Sequence, residues 1–328
     1  MKLLVTGGLG FIGSNFILKV LEENTDIQIT NVDAELAGSN KKNLSSVEKN
    51  KNYEFIKGNI TNRRLMEKLI TNCDSVINFA AESFVDRSIY EADPFLVSNI
   101  RGAFTILDII TKQKKQMIQI STDEIFGSIL NGNADEGSKF NPSNPYAATK
   151  ASAELLVDSY HKTFDSNVII TRCTNNFGPR QFPEKLIPKI ILLAKLDKNI
   201  PIYGNGKNIR DWIYVDEHCD AIFRVLMKGK SGQSYNISGN TEISNLQITN
   251  YILEKMNKSK DLIKFVDDRP GHDFRYSLDS TKISNELGWK NKLSFEEGLE
   301  QTIEWYQKNS EVYDSISPKI LQTDTPWR

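Results

Sequence analysis

The run Gly7-Gly8-Leu9-Gly10-Phe11-Ile12-Gly13 lies between a short apolar segment, Lys2–Thr6, and a stretch from Phe11 to Glu22 whose apolar residues recur at helical spacing. A strand, a glycine-rich turn and a helix in immediate succession leave few folds open. A tight turn there needs glycine, and a pyrophosphate can approach the backbone only where no Cβ intervenes. The helix N-terminus then offers free N–H groups and a partial positive charge. Gly7, Gly10 and Gly13 are therefore expected to cradle a dinucleotide. Asp33 closes the second apolar run, Ile27–Val32, and stands 20 residues after Gly13. A carboxylate at that place accepts hydrogen bonds from the adenosine ribose hydroxyls and repels a 2′-phosphate, so NAD is favoured over NADP.

The alternation continues. Tyr53–Lys57, Ser75–Phe79, Met117–Ser121 and Val168–Arg172 read as strands, and Arg63–Thr71, Phe95–Thr111 and Tyr146–Thr163 as the helices between them. Parallel strands need crossover connections, so the expected fold is α/β: a Rossmann-type doubly wound parallel sheet. The segment 37–52, rich in Lys, Asn and Ser, reads as a mobile surface loop. After Arg172 the pattern breaks at Pro179, Pro183, Pro188 and Pro201. Helices at about Ser244–Met256 and Phe295–Lys308 then suggest a smaller mixed α/β substrate-binding lobe. The expected division is 1–170, with 207–232 returning to it, against 171–206 and 233–328. Residues 310–328 carry little periodicity and read as an arm.

Forty-one Lys and Arg against 42 Asp and Glu leave a net charge of −1. That balance gives no general attraction to nucleic acid or to acidic membranes, although it allows a local basic pocket. The three cysteines, Cys73, Cys173 and Cys219, are far apart and form no CxxC pair. They are read as small buried hydrophobes in a reducing compartment, and no metal site is expected. No apolar run is long enough to span a bilayer and no signal peptide is recognised, so a cytoplasmic location is expected.

Tyr146-Ala147-Ala148-Thr149-Lys150 opens a helix, and residues four apart share one face. The Tyr146 hydroxyl and the Lys150 ammonium are therefore expected to converge, the cation lowering the pKa of a phenol that is ordinarily about 10. Ser121-Thr122-Asp123-Glu124 follows a strand and brings Thr122 within reach of the same substrate hydroxyl.

These motifs identify a resemblance. The chain looks like an extended short-chain dehydrogenase/reductase and, within that group, resembles the dTDP-glucose 4,6-dehydratases from residue 1 to about Gln307. The likeness is carried in order by Thr6–Gly13, Ala80-Ala81-Glu82-Ser83, Val85-Asp86-Arg87-Ser88, Ser121–Gly127, Tyr146–Lys150 and Asn175-Asn176-Phe177-Gly178-Pro179. Pro183–Pro188, Arg210–Val215 and Asp268–Asp273 complete it. The resemblance implies a reaction in three steps. Tyr146 takes the proton of the sugar 4-hydroxyl while the C4 hydride passes to NAD. Glu124 then removes the C5 proton, made acidic by the new ketone, as Asp123 protonates the departing 6-hydroxyl. The hydride finally returns to C6. Asp123 must stay protonated for this role, which burial beside a second carboxylate favours.

The resemblance also places Phe11, Ile12, Asn59, Ile60, Ala80 and Ala81 with the dinucleotide. It places Ser83, Asn175, Asn176, Lys185 and Leu186 with a nucleotide-diphosphate sugar, and implies a homodimer paired through the helices at Phe95–Thr111 and Tyr146–Thr163. Arg210 and Arg269 suit the diphosphate, since a guanidinium matches phosphate geometry, although pairing with neighbouring Asp211 and Asp268 is the plainer alternative. Asn236 and His272 are expected as secondary contacts, and His161 and His218 as solvent-facing helix positions. Phe84, Asn59, Ala147 and Phe126 depart from the family pattern, where His, Asp, Ser and Tyr are usual. The alternatives are a UDP- or CDP-glucose 4,6-dehydratase, a 4-epimerase, which needs no acid and base at C5 and C6, and a non-catalytic NAD-sensing protein.

Overall fold

The computed structural model describes residues 1–309 together with Leu321, Pro326 and Trp327. Six strands alternate with helices through the first half: β1 (Lys2–Thr6), β2 (Gln28–Asp33), β3 (Tyr53–Lys57), β4 (Ser75–Asn78), β5 (Gln116–Thr122) and β6 (Val168–Cys173). Among the described residues six further strands follow: β7 (Asn175–Phe177), β8 (Ile200–Tyr203), β9 (Ile209–Tyr214), β10 (Ser234–Ile237), β11 (Glu242–Ser244) and β12 (Ile263–Val266). The main sheet has seven strands in the order β10-β6-β5-β4-β1-β2-β3, and every neighbouring pair is parallel. Crossover chains run outward in both directions from β1, so a crevice forms at the carboxyl ends of β1 and β4, where the winding reverses. The strands are buried on both faces. On one side Val5, Ile77, Ile118 and Ile169 pack with Phe16 and Ile17 of the helix Phe11–Glu23 and with Ile222 of the helix Val215–Lys228. On the other, Leu4, Val76 and Met117 meet Ile70 of Arg63–Thr71, Ile106 of Ala103–Gln113 and Val157 of Pro145–Phe164.

The second lobe holds two small sheets, β11-β9-β7 and β12-β8. Its core joins Phe177, Trp212 and Tyr214 to the helices Leu186–Lys195, Asn245–Lys255 and Phe295–Lys308. The sheet pairings move the expected division. β10 follows residue 233, yet it pairs with β6 at the edge of the main sheet, and Ile283, Leu287 and Trp289 pack in that sheet's core. β9, expected to return to the dinucleotide domain, instead pairs with β7 and β11.

Two further expectations are corrected. Segment 37–52 contains a 3₁₀ helix, Lys41–Val47, that buries Leu44, and Asn40 N–H and Asn43 Nδ2 both donate to the Leu9 carbonyl at 3.0 Å. Its polar composition concealed one apolar anchor and the side-chain amide that ties it to the glycine loop. The continuous helix expected over Phe95–Thr111 contains a π-helical turn, Leu96–Gly102, before the α-helix Ala103–Gln113. The cysteines are buried as expected. The arm expected over 310–328 lies outside the described residues apart from Leu321, Pro326 and Trp327. Among the described residues, no helix is long and apolar enough to cross a membrane.

The helix Pro145–Phe164 starts cleanly because the Asn144 side chain accepts the Ala147 N–H at 2.9 Å and proline occupies its first turn. Its buried stripe includes Tyr146, Lys150, Glu154 and Val157. Glu154 is fully buried and accepts Arg172 Nε at 2.9 Å and Nη2 at 2.8 Å, while the guanidinium lies over Phe126 and Phe140. Removing one partner strands a charge in a medium that cannot solvate it. Glu154→Ala should cost about 3–5 kcal/mol in urea unfolding, and Glu154→Leu combined with Arg172→Met should recover much of that loss.

Candidate active site

At the crevice the chain turns through Gly7 with φ 70°, and a Cβ there would lie 2.7 Å from the backbone of Ala80. A Cβ on Gly13 would meet the Gly7 carbonyl oxygen at 2.6 Å. The helix Phe11–Glu23 is capped by Gly10 without a side-chain bond and carries no acid in its first turn, so no side chain of its own occupies the N–H groups at that end. Asp33 ties the cradle together. It accepts the Leu9 N–H at 3.0 Å on one oxygen, and the Glu35 N–H and Ser39 hydroxyl at 2.8 Å on the other. Phe11, Ile12, Ile60, Ala80 and Ala81 line the same cavity. Asn59 lines it too, but its side-chain oxygen is engaged by the Thr61 N–H and hydroxyl at 2.9 and 2.8 Å. The cradle, the helix terminus and Asp33 fit a dinucleotide.

The cavity floor is the end of β5. Thr122 donates to Asp123 at 3.1 Å and accepts the Glu124 N–H at 3.3 Å. Asp123 is buried, and its second carboxyl oxygen has no partner. Desolvation, then the charge of Glu124, holds the Asp123 carboxyl well above the ordinary carboxylate range, which favours its protonated form. Glu124 is steadied from two sides, by Tyr276 Oη at 3.3 Å and by Asn144 Nδ2 at 3.4 Å. Tyr146, Lys150, Thr122, Asp123 and Glu124 thus share one cavity.

Lys150 Nζ donates to the Ile120 carbonyl at 2.6 Å, and burial lowers its pKa to about 8. Burial, then Glu124, pushes the Tyr146 phenol well above its ordinary value. Helical spacing aligned the two side chains, and the backbone carbonyl of β5 took the ammonium.

A second cavity adjoins the first, and Phe84, Glu124, Asn175 and Lys185 line both. Ser83 and Asn176 stand on the first side; Leu186, Arg210, Arg269 and His272 stand on the second. Lys185 donates to the Ser83 carbonyl at 2.7 Å and lies 4.8 Å above the Phe84 ring, with Arg87 4.5 Å from the same ring. Arg210 bonds the carbonyls of Ile209 and Asp273 at 2.8 and 2.9 Å and stacks on Tyr276, and no bond joins it to Asp211. The Asp211 carboxylate instead accepts Ser238 Oγ and the Thr241 N–H. Arg269 pairs with Asp86 at 3.0 Å through its guanidinium, and only its backbone N–H reaches Asp268. His272 accepts or donates to Asp268 at 2.6 Å, and burial with the two arginines lowers its pKa to about 4.

Asn236 is not brought to either cavity. It is buried on β10, where its N–H reaches Glu136 at 2.9 Å and its Nδ2 the Ala134 carbonyl at 3.1 Å. His218 is not solvent-facing: it is fully buried, 2.8 Å from the Asn176 side-chain oxygen, and burial lowers its pKa to about 3. His161 is half-buried, with Nδ1 3.0 Å from the Ser166 carbonyl. Three supporting residues were missed. Asn144 and Tyr276 hold Glu124, and Asn99, on the π-helical turn, bonds both backbone groups of Glu82 at 2.8 and 3.0 Å. Asn144 directly before Pro145 was a readable helix cap, whereas nothing in the sequence marks Tyr276 or Asn99 as neighbours of the site.

A crevice at the switch point of a parallel sheet, joined to a second lobe and floored by Thr, Asp, Glu, Tyr and Lys, defines a nucleotide-sugar-modifying member of the short-chain dehydrogenase type. The chain belongs to the GDP-mannose 4,6 dehydratase family, whose model matches residues 4–302. It is 46% identical over 312 residues to the low-salt glycan biosynthesis protein Agl12 of Haloferax volcanii, covering 95% of this chain and 100% of that one. It is 40% identical to a dTDP-glucose 4,6-dehydratase of Streptomyces niveus, covering 99% and 98%. Among solved structures, DesIV, a dTDP-glucose 4,6-dehydratase of Streptomyces venezuelae crystallised with NAD bound, superposes with a TM-score of 0.93 at 39% identity, covering 95% of this chain and 98% of that one.

Two outcomes follow from this geometry. Gly13→Ala should weaken NAD binding by at least about ten-fold in calorimetry, because the backbone must shift to accept the methyl group. Asp123 bears on stability. An unfolded chain releases that proton near pH 4, whereas the folded chain retains it, so stability is full below that pH and is lost as pH rises towards the raised folded value. Asp123→Asn should therefore melt a few degrees above the native protein at pH 8, with the difference vanishing towards about pH 4.

Proposed function

We propose that this chain is an NAD-dependent nucleotide-sugar 4,6-dehydratase that converts dTDP-glucose to its 4-keto-6-deoxy product. The observation that carries the reading is the pair Asp123 and Glu124, one carboxyl buried and protonated, the other held by Asn144 and Tyr276, at the junction of the two cavities. An epimerase or an NAD-sensing protein has no use for an acid and a base so arranged. The full-length likeness to dTDP-glucose 4,6-dehydratases favours that nucleotide over UDP or CDP.

The cradle of Gly7, Gly10 and Gly13 with Asp33 would hold NAD, which would supply a hydride acceptor for C4, a hydride donor for C6 and positive charge in the cavity. Tyr146, once the added positive charge has drawn off its own proton, would take the proton of the 4-hydroxyl beside Thr122; Lys150, tied to β5, adds a cation to the same wall. Glu124 removes the C5 proton once C4 is a ketone. Asp123 gives its proton to the leaving 6-hydroxyl, so one water departs, and Glu124 returns its proton to C5 as the hydride reaches C6. Arg210, Arg269 and Lys185 supply the positive wall that a diphosphate requires.

Incubation with dTDP-, UDP- and CDP-glucose in turn should yield, with the first, a product lighter by one water, with no accumulation of reduced nicotinamide. A product of unchanged mass with all three would overturn the reading. Glu124→Gln should still form the reduced cofactor but incorporate little solvent deuterium at C5. Asp123→Asn should also form it and eliminate water slowly, and Tyr146→Phe should form very little. Glu124→Gln silent while Tyr146→Phe reduced the cofactor normally would reverse the assignment.

A homodimer completes the proposal. Leu96, Val97 and Phe104 on one helical segment, and Leu155 and Phe164 on the helix Pro145–Phe164, are exposed apolar side chains on the two helices expected to pair. Light scattering should give twice the chain mass at micromolar concentration, and Leu155→Asp should shift it towards the monomer.

A further inference from the structure

The last described aromatic residue is spent on the second cavity although it does not line it. Trp327 is only 7% exposed, so its indole is docked on the fold. Its ring stands edge-on to Tyr203, with centroids 4.9 Å apart and planes at 89°. Tyr203 ends β8 and does line the cavity. Its hydroxyl donates to one oxygen of Asp86 at 3.1 Å, while the other oxygen of Asp86 accepts Nη1 of Arg269 at 3.0 Å. The Tyr203 ring also approaches His272, with centroids 6.4 Å apart. Arg269 Nε is buried without a partner, so this guanidinium is held by a single side chain and keeps a donor for the cavity. Leu321 packs on the core of the same lobe, which brings the end of the chain to the same region.

A tyrosine at the mouth of a cavity has two torsions to fix. Edge-to-face contact with a buried indole restricts both, and thereby aims the hydroxyl that orients Asp86. We infer that Trp327 is a positioning residue for the nucleotide-diphosphate end of the substrate, acting through Tyr203 and Asp86 on Arg269. This rests on the nucleotide-sugar reading of the second cavity. Trp327 is then part of the recognition machinery, and replacing it changes substrate affinity while leaving the reacting end intact.

The test compares the full-length native protein with Trp327→Ala, Trp327→Phe, Tyr203→Phe and the double variant Trp327→Ala/Tyr203→Phe. Binding of dTDP is measured by calorimetry, with NAD binding and dTDP-glucose turnover measured alongside. Trp327→Ala should weaken dTDP binding and raise KM by about three- to ten-fold, the factor an edge-to-face aromatic pair sustains, with kcat and NAD affinity within about two-fold of native. Trp327→Phe should restore most of the loss. The double variant should be no weaker than the worse single one, since both act along one path. Native dTDP affinity in Trp327→Ala, strictly additive losses, or a parallel fall in NAD affinity would each overturn the inference while leaving the proposed function standing. Native protein that binds no dTDP would overturn both.

Discussion

Parallel pairing of β1, β4 and β5 is the constraint on which the chemistry depends. Because every strand of the main sheet runs the same way, each ends at one edge, and the turn after each is free to carry a polar residue. Gly7 follows β1, Ala80 and Ala81 follow β4, and Asp123 and Glu124 follow β5. The register is tied inside the sheet as well. Thr6 donates to Asn78 at 2.6 Å and Asn78 to Gln119 at 2.8 Å, a polar chain across three central strands. Those bonds are buried, where leaving any member unpaired is costly, so a slip of one strand against another is strongly disfavoured.

On that edge, burial does the electrostatic work. The same low-dielectric setting keeps a proton on Asp123, keeps the Tyr146 phenol neutral and lowers the pKa of Lys150 to about 8. Each group is poised away from its behaviour in water, at a cost to stability that the buried Glu154–Arg172 pair and two well-filled cores accompany. Arriving charge, whether a positive ring or a diphosphate, changes the balance of this set as a unit, because the groups lie within one continuous space.

Much was readable in advance. The glycine spacing, the carboxylate closing β2, the strand–helix alternation and the Tyr146–Lys150 spacing are local signals, and local backbone geometry preserves them. Where the reading failed, a distant partner had intervened. His218, expected to face solvent, was drawn into the interior beside Asn176, and the alternative pairing of Arg210 with Asp211 gave way to carbonyls 63 and 64 residues away. Asn236 was expected as a secondary substrate contact, but β10 joined the main sheet, where its side chain meets the Ala134 carbonyl and its backbone N–H reaches Glu136.

The amino-acid sequence by itself determined the class of fold, the cradle for a dinucleotide and the residue types of the reacting group, because each needs only a short stretch of chain with the right period, glycine or cap. Tertiary structure alone decided which carboxyl is protonated, which cation is free to meet a phosphate, and which residues stand behind them. Those properties depend on desolvation and on hydrogen-bond partners remote in sequence: Tyr276 and Asn144 behind Glu124, Asp86 and Tyr203 behind Arg269. Burial and long-range contact are not local quantities, and no spacing along the chain encodes them.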